Sequence, residues 1–345
     1  MSDFNPKFLV DNDSLSGNLF PRSIKVLVIG DVMLDRYICG KYERMSPEAP
    51  VPVVDFENEY ARPGGAANVA LNLKNLGAEV ALCGICGKDK SGKLITAQMI
   101  GNGVDVEGVI FSESRNSTEK IRILGNGKQL LRVDKEHTDL LNQQEVEEMI
   151  SAVAYKLDSF GPEVVIFQDY NKGLLNKTTI DKMLTLCRKK GVFTAVDPKF
   201  ENFYQYQGVD FFKPNLNEFA TALGRDLNAT IEELKSGAYE FADKMDVGIL
   251  MVTLGEKGIF VSNADGQFIR PAVETEIEDV SGAGDTVLAV ATLGLCAGME
   301  LSRITELCNF AAAEVCSKAG VVSIRENQLI ERMRTFLTSG ESASG

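Results

Sequence analysis

The chain has 345 residues, 44% of them hydrophobic and 25% charged, enough to bury a large α/β core. Its formal net charge of −13 argues against nucleic acid or an anionic membrane as a main partner, while leaving room for a local positive site. No apolar stretch is long enough to span a membrane, and the acidic start lacks the basic and apolar regions of a signal peptide. Seven cysteines scattered through apolar segments fit the reduced thiols of a cytoplasmic protein.

Residues 1–22 read as an extension and 339–345 as a small polar, disordered tail. Residues 25–30 form a β-branched run ending in Gly30, which predicts a central strand of a parallel sheet. Asp31 and Asp35 follow at its carboxyl end, where open α/β sheets bind ligands. Residues 51–56, bounded by Pro47, Pro50 and Pro52, predict an edge strand of a small flap. A helix is expected to open at Gly64-Gly65-Ala66-Ala67-Asn68 and to stop at Gly77. Strands are then predicted at 80–83, 106–111, 120–124, 129–133, 163–167, 192–196, 209–212, 249–253 and 259–262. Helices are predicted at 93–100, 144–157, 177–190, 216–223, 231–244, 283–297, 301–319 and 328–337. This alternation implies a mainly parallel sheet with helices on both faces.

Two motifs read as false leads. Gly87 to Leu94 matches G-x-x-x-x-G-K, but Leu94 has no hydroxyl for a metal, so it reads as a charged surface turn. Cys83 and Cys86 have C-x-x-C spacing, yet they end a strand, and the one histidine, His137, cannot complete a zinc site.

Other stretches carry two readings each. Gly64 and Gly65 could admit a ligand to the backbone and Asn68 could bond sugar hydroxyls, or the segment could be a tight turn. Asn215-Leu216-Asn217-Glu218 could reach one hydrated Mg²⁺ or phosphate, or form a capping pair. Thr253 to Gly258 could admit a nucleotide or make a hairpin. Asp279 to Thr286 contains Gly282-Ala283-Gly284-Asp285 just before a long apolar helix. Its free N–H groups and helix dipole make an anion site, and Asp285 lies beside it. An anion hole with a carboxylate suits phosphoryl transfer to a hydroxyl, although acids in first helical turns are also favoured by the dipole alone.

In this order, the elements resemble the PfkB carbohydrate kinases, the ribokinase-like family, over about residues 25–337. The resemblance implies a ribokinase-like α/β domain over 23–338, with flap segments near 36–60 and 106–134. Residues 30–37, 46–53, 169–173 and 197–199 are similar to the heptose 7-phosphate kinases of lipopolysaccharide synthesis, a subfamily often fused to an adenylyltransferase with an H-x-G-H motif. One histidine cannot supply that motif, so the fused activity is not expected. Ser281 and Gln168 stand where Thr and Ser are usual.

The resemblance implies ATP and Mg²⁺ as ligands, with dependence on a monovalent cation left open, a phosphorylated sugar as substrate, and a homodimer. It makes Asp285 the general base and Gly282, Ala283 and Gly284 the anion hole. Asn215, Leu216, Asn217, Glu218, Thr253, Gly255, Gly258 and Asn309 would meet the nucleotide, with Glu218 toward the metal. Asp35, Gly64, Gly65, Asn68, Asp169 and Asp197 would hold the sugar, with Lys120, Arg122, Arg132, Lys172 and Lys199 as candidate phosphate cations. A kinase for another sugar and a non-catalytic sugar-binding protein are the alternatives.

Overall fold

The computed structural model describes residues 19–342 apart from Arg22. The chain runs β1 (Lys25–Gly30), β2 (Val32–Met45), β3 (Pro52–Gly65), α1 (Ala66–Asn75), β4 (Glu79–Gly87), α2 (Lys90–Gly101), β5 (Asp105–Ser112), β6 (Thr118–Gly125), β7 (Lys128–Lys135) and α3 (Gln143–Ser159). It continues with β8 (Val164–Gln168), α4 (Lys177–Lys190), β9 (Phe193–Asp197), β10 (Phe211–Phe212), α5 (Leu216–Leu223), α6 (Ile231–Met245), β11 (Ile249–Thr253), β12 (Ile259–Asn263) and β13 (Gly266–Arg270). Helices α7 (Ala283–Cys296), α8 (Leu301–Cys316) and α9 (Glu326–Ser342) complete it.

The main sheet has the order β13-β12-β11-β10-β9-β8-β1-β4-β5, parallel from β11 to β5, with β12 and β13 antiparallel at one edge. Alternation along β1 shows why both faces are covered. Val26 and Val28 pack with α1, α2, α7, α8 and α9, whereas Leu27 and Ile29 pack with α3, α4, α5 and α6.

A second sheet, β3-β2-β6-β7, is the flap. Only Asp31 separates β1 from β2, so the chain passes from the central strand straight into the flap. The flap therefore comprises residues 32–65 and 118–135 rather than 36–60 and 106–134. Residues 105–112 pair with β4 and close the main sheet instead. Residues 52–56 of the strand expected at 51–56 lie within β3, which is an edge of the flap.

Residues 1–18 and 343–345 lie outside the described residues. Within the expected extension, Leu19 and Phe20 are buried, and Leu19 N donates to Glu326 Oε1 at 2.7 Å. Within the expected tail, α9 runs on to Ser342, since each residue added to an established helix gains a backbone hydrogen bond. Among the described residues, no helix is long and apolar enough to cross a membrane.

Candidate active site

The first turn of α7 fixes the centre of the site. Gly282, its N-cap, has φ 83°, a left-handed conformation that glycine adopts without strain. A Cβ there would stand 3.0 Å from Asn68 Nδ2 and 3.3 Å from Val321 Cγ1. The helix has no side-chain cap; Ala283 N donates to Val280 O at 3.3 Å, and the next N–H groups of the first turn have no acceptor within the helix and can meet a ligand. Asp285, in the same turn, is only 3% exposed. Its Oδ2 accepts from Asn68 Nδ2 at 2.7 Å, and its Oδ1 accepts from Tyr170 Oη at 2.9 Å and Gln168 Nε2 at 3.0 Å. Burial, reinforced by Asp197, pushes the Asp285 carboxyl up to about 7, against the pull of Asn68, Tyr170 and Lys213.

Strand ends bring charge to this point. Asp197 ends β9, and Lys213, just past β10, holds its Oδ2 at 2.9 Å with both side chains buried. Lys199 pairs with Glu218 and lies 5.3 Å from the centre of the Tyr170 ring. These groups line a cleft of about 490 Å³ at the carboxyl ends of the strands. Gly282, Ala283, Gly284, Asp285, Asn215, Glu218, Thr253, Gly255, Gly258 and Asn309 all line it, with apolar Val273, Ile277 and Val280. Asn309 also donates to Pro271 O at 2.9 Å, fixing the wall after β13.

Two of the expected nucleotide residues fall away. Leu216 packs against the core, and Asn217 is exposed with its carbonyl bonded by Thr221 Oγ1. Helical rotation turns both away from the face that Asn215 and Glu218 share. The capping alternative holds for that pair: Asn215 Oδ1 accepts from Glu218 N, and Glu218 Oε2 from Asn215 N, both at 2.9 Å. The other Glu218 oxygen meets Lys199, so its carboxylate already has partners on both sides. Among the described residues, no group of three or more His, Cys, Asp or Glu side chains is placed to hold a metal.

The flap sorts the expected sugar residues. In register, Asp35 lies opposite Arg62 and Lys120, Arg122 opposite Tyr37 and Arg132, and Lys120 opposite Asp134. Directly opposed residues share a face, so Asp35, Arg62, Lys120, Arg122 and Arg132 form one charged face. Arg122 and Asp35 make a buried ion pair. Gly64 is required beside it, because a Cβ there would fall 2.2 Å from Asp35 Oδ2. Gly65 is the N-cap of α1, and a Cβ there would meet Asp31 O at 2.4 Å. Arg132 is half exposed, and both it and Lys120 are bonded to Asp134.

Other candidates lie apart from this face. Asp169 is buried and accepts from Asn171 N, Asn202 Nδ2 and Tyr206 Oη, a bracing role for its loop. Lys172 pairs with Glu136 at 2.7 Å beside a small cavity near Asp31 and Arg115. Asn68 bonds Asp285 itself, and Asp197 and Lys199 line the cleft. The resemblance places Asp169 and Lys172 at the sugar, whereas here the Asp169 carboxylate is taken up by its own loop and Lys172 by Glu136.

Sequence reasoning assigned no role to Gln168, Tyr170, Lys213 or Arg62. The first three follow sheet strands directly or end them, and that position was the available signal. Arg62 was detectable by its period of two from Gly64. The false leads resolve simply. Asp89 caps α2, its own carboxylate accepting from Gly92 N, Ser117 N and Ser117 Oγ, so the Walker-like turn fills its own anion site, and Lys93 is exposed. Cys83 and Cys86 lie within β4 on opposite faces of the sheet, and burial pushes both thiols up to about 12.

Comparison with known proteins agrees with this geometry. The chain is 36% identical over 310 residues to the bifunctional protein HldE of Geotalea uraniireducens, covering 90% of this chain and 63% of that protein. It is 38% identical over 322 residues to the bifunctional protein HldE of Shewanella sp. (strain ANA-3), covering 93% and 65%. The chain thus spans a little under two thirds of these relatives. The tetrameric inhibited form of Escherichia coli phosphofructokinase-2 superposes with a TM-score of 0.76 at 16% identity, covering 91% of this chain and 99% of that one. Arabidopsis thaliana ribokinase, complexed with ribose and ATP, superposes with a TM-score of 0.69 at 17% identity, covering 90% and 99%. The family model for pfkB carbohydrate kinases matches residues 23–327, and the chain belongs to that family.

Proposed function

We propose that this chain is an ATP-dependent kinase that phosphorylates D-glycero-β-D-manno-heptose 7-phosphate at C1, giving the 1,7-bisphosphate. The observation that carries the kinase chemistry is the buried Asp285 carboxylate beside the uncapped N-terminus of α7, at the wall of a cleft. Asp285 takes the hydroxyl proton, and the N–H groups of Gly282, Ala283 and Gly284 stabilise charge on the transferring phosphoryl group. Lys199 and Lys213 bring positive charge to the phosphates. The apolar cleft wall beyond Thr253 and Asn309 takes the base. Mg²⁺ fits as an ion carried on the triphosphate, with Glu218 or Asp197 reached through water, because such ions keep several waters and use few carboxylates. Bound there, it would neutralise phosphate charge.

The charged flap face supports a phosphorylated sugar, since Arg62, Lys120, Arg122 and Arg132 can offer charge-assisted bonds that a hydroxyl cannot match. The heptose assignment rests on the segments shared with heptose 7-phosphate kinases and on the HldE relatives. A cytoplasmic location fits a soluble sugar-phosphate substrate. The test is competition between the heptose 7-phosphate and free hexoses, with the product position read by phosphorus NMR. The 7-phosphate should be preferred in kcat/KM by on the order of 10²-fold or more, because a free sugar has no group that can accept the charge-assisted bonds these cations offer. An equal or higher kcat/KM for ribose or fructose would overturn the heptose assignment and leave the kinase.

Flap-to-flap pairing in a homodimer would cover the exposed apolar side chains Phe56 on β3 and Leu131 and Val133 on β7. Sedimentation velocity is expected to show a dimer that Phe56→Glu with Leu131→Glu dissociates. A wild-type monomer at micromolar concentration would refute it.

A further inference from the structure

The carboxylate of Asp285 is held unevenly. Oδ1 accepts two hydrogen bonds, from Tyr170 Oη and Gln168 Nε2, whereas Oδ2 accepts one, from Asn68 Nδ2. Each carboxylate oxygen offers about two lone-pair sites. Oδ1 is therefore full, and Oδ2 has one site left.

The backbone that carries each donor on Oδ1 is itself held. Tyr170 N donates to Asp31 Oδ2 at 2.8 Å, and the Lys199 ammonium sits over the Tyr170 ring. Gln168 ends β8, where its residue pairs in register with Gly30 and Asp197. Its amide faces two carboxylate acceptors, Asp285 Oδ1 and, at 3.4 Å, Asp197 Oδ2, which assigns the nitrogen to that side. Both donors therefore reach Oδ1 from backbone positions that other groups hold.

We propose that Tyr170 and Gln168 are positioning residues that saturate Oδ1 and thereby present Oδ2, with Asn68 beside it, as the oxygen that takes the proton from the sugar hydroxyl. The O–H bond of the substrate breaks as an Oδ2–H bond forms. The hydroxyl oxygen bonds to the γ-phosphorus, and the bond from that phosphorus to the β–γ bridging oxygen breaks, its electron pair leaving with ADP. The inference rests on the base role given to Asp285 above.

The groups facing Asp285 are Asp197 from the end of β9, Lys199 and Lys213 beyond it, and Tyr170 itself. Tyr170 stays neutral across the working range, because burial and Asp285 hold its hydroxyl well above its usual value. It is thus a constant donor rather than a second titrating group. Removing a donor from a carboxylate raises the pH at which it ionises.

The experiment compares Tyr170→Phe, Gln168→Met and Asp285→Asn in the full chain, measuring melting temperature, KM for both substrates, and kcat/KM against pH. For Tyr170→Phe and Gln168→Met, kcat is expected to fall about tenfold or more with KM little changed. The midpoint of the rising limb should move up by about one pH unit, as expected for one hydrogen bond to a charged oxygen. A purely structural role would lower the melting temperature and leave that midpoint where it was. An unmoved midpoint in a folded Tyr170→Phe or Gln168→Met protein overturns the proposal. Substantial turnover by Asp285→Asn would instead overturn the base assignment, so the two failures are distinguishable.

Discussion

Asp285→Asn is expected to lower kcat by on the order of 10²–10⁴, roughly 3–5 kcal/mol of barrier, with ATP affinity little changed. Asparagine keeps the shape and one acceptor, but it cannot take the proton. Burial raises the carboxyl to about 7, which poises the base near neutrality. The base must be ionised to act, so kcat/KM of the wild type should rise with pH through about 7. The same burial has a cost in stability. A carboxyl raised from 3.8 to about 7 binds more protons in the fold than in the unfolded chain across that window. Its contribution is complete below the ordinary carboxylate value and is lost as pH rises through about 7. Asparagine carries no such charge, so this part of the slope should be missing from the variant, though Asp31, also pushed to about 7 by burial and Asp169, keeps its own share. Single-turnover kinetics, nucleotide titration and thermal melts at pH 5 and 8 would check this. A variant that keeps more than half of wild-type turnover would remove Asp285 from the reaction.

The parallel sheet was legible because its strands are short apolar runs punctuated by glycine and separated by periodic helices; α4 and α5 begin and end where periodicity placed them. The flap was legible only in part. In β2 the sequence Asp35-Arg36-Tyr37 puts charge where burial occurs, because Asp35 and Arg122 neutralise each other from strands far apart in sequence. No local pattern reveals such a pair. In the site, the turn at Gly282–Asp285 stood out through its own composition. Its supports did not, since Gln168 and Tyr170 reach Asp285 from the end of β8 and Lys213 reaches Asp197 from the end of β10. Asn68 was read as a sugar contact because its amide chemistry suits a hydroxyl; a carboxylate 217 positions away uses the same donor.

Lys213→Met should destabilise the protein by about 3–5 kcal/mol at neutral pH, the usual result of removing one partner from a buried ion pair. Lys213 is 2% exposed and its ammonium lies 2.9 Å from Asp197 Oδ2. Methionine matches its length, so lost packing contributes little and the stranded Asp197 charge dominates. That charge sits close to Asp285, which Asp197 already pushes up and Lys213 pulls down. Both changes in the variant act in one direction, so the rising limb of kcat/KM should move to higher pH. The double variant Lys213→Met with Asp197→Asn removes the stranded charge and should regain much of the lost stability. It should not regain activity, because the cation proposed to face the phosphates is still missing. Urea unfolding of the wild type, both single variants and the double variant gives the coupling energy directly. If Lys213→Met stays within about 1 kcal/mol of wild type, or the double variant is no more stable than the single one, the pair is not what holds these strand ends together.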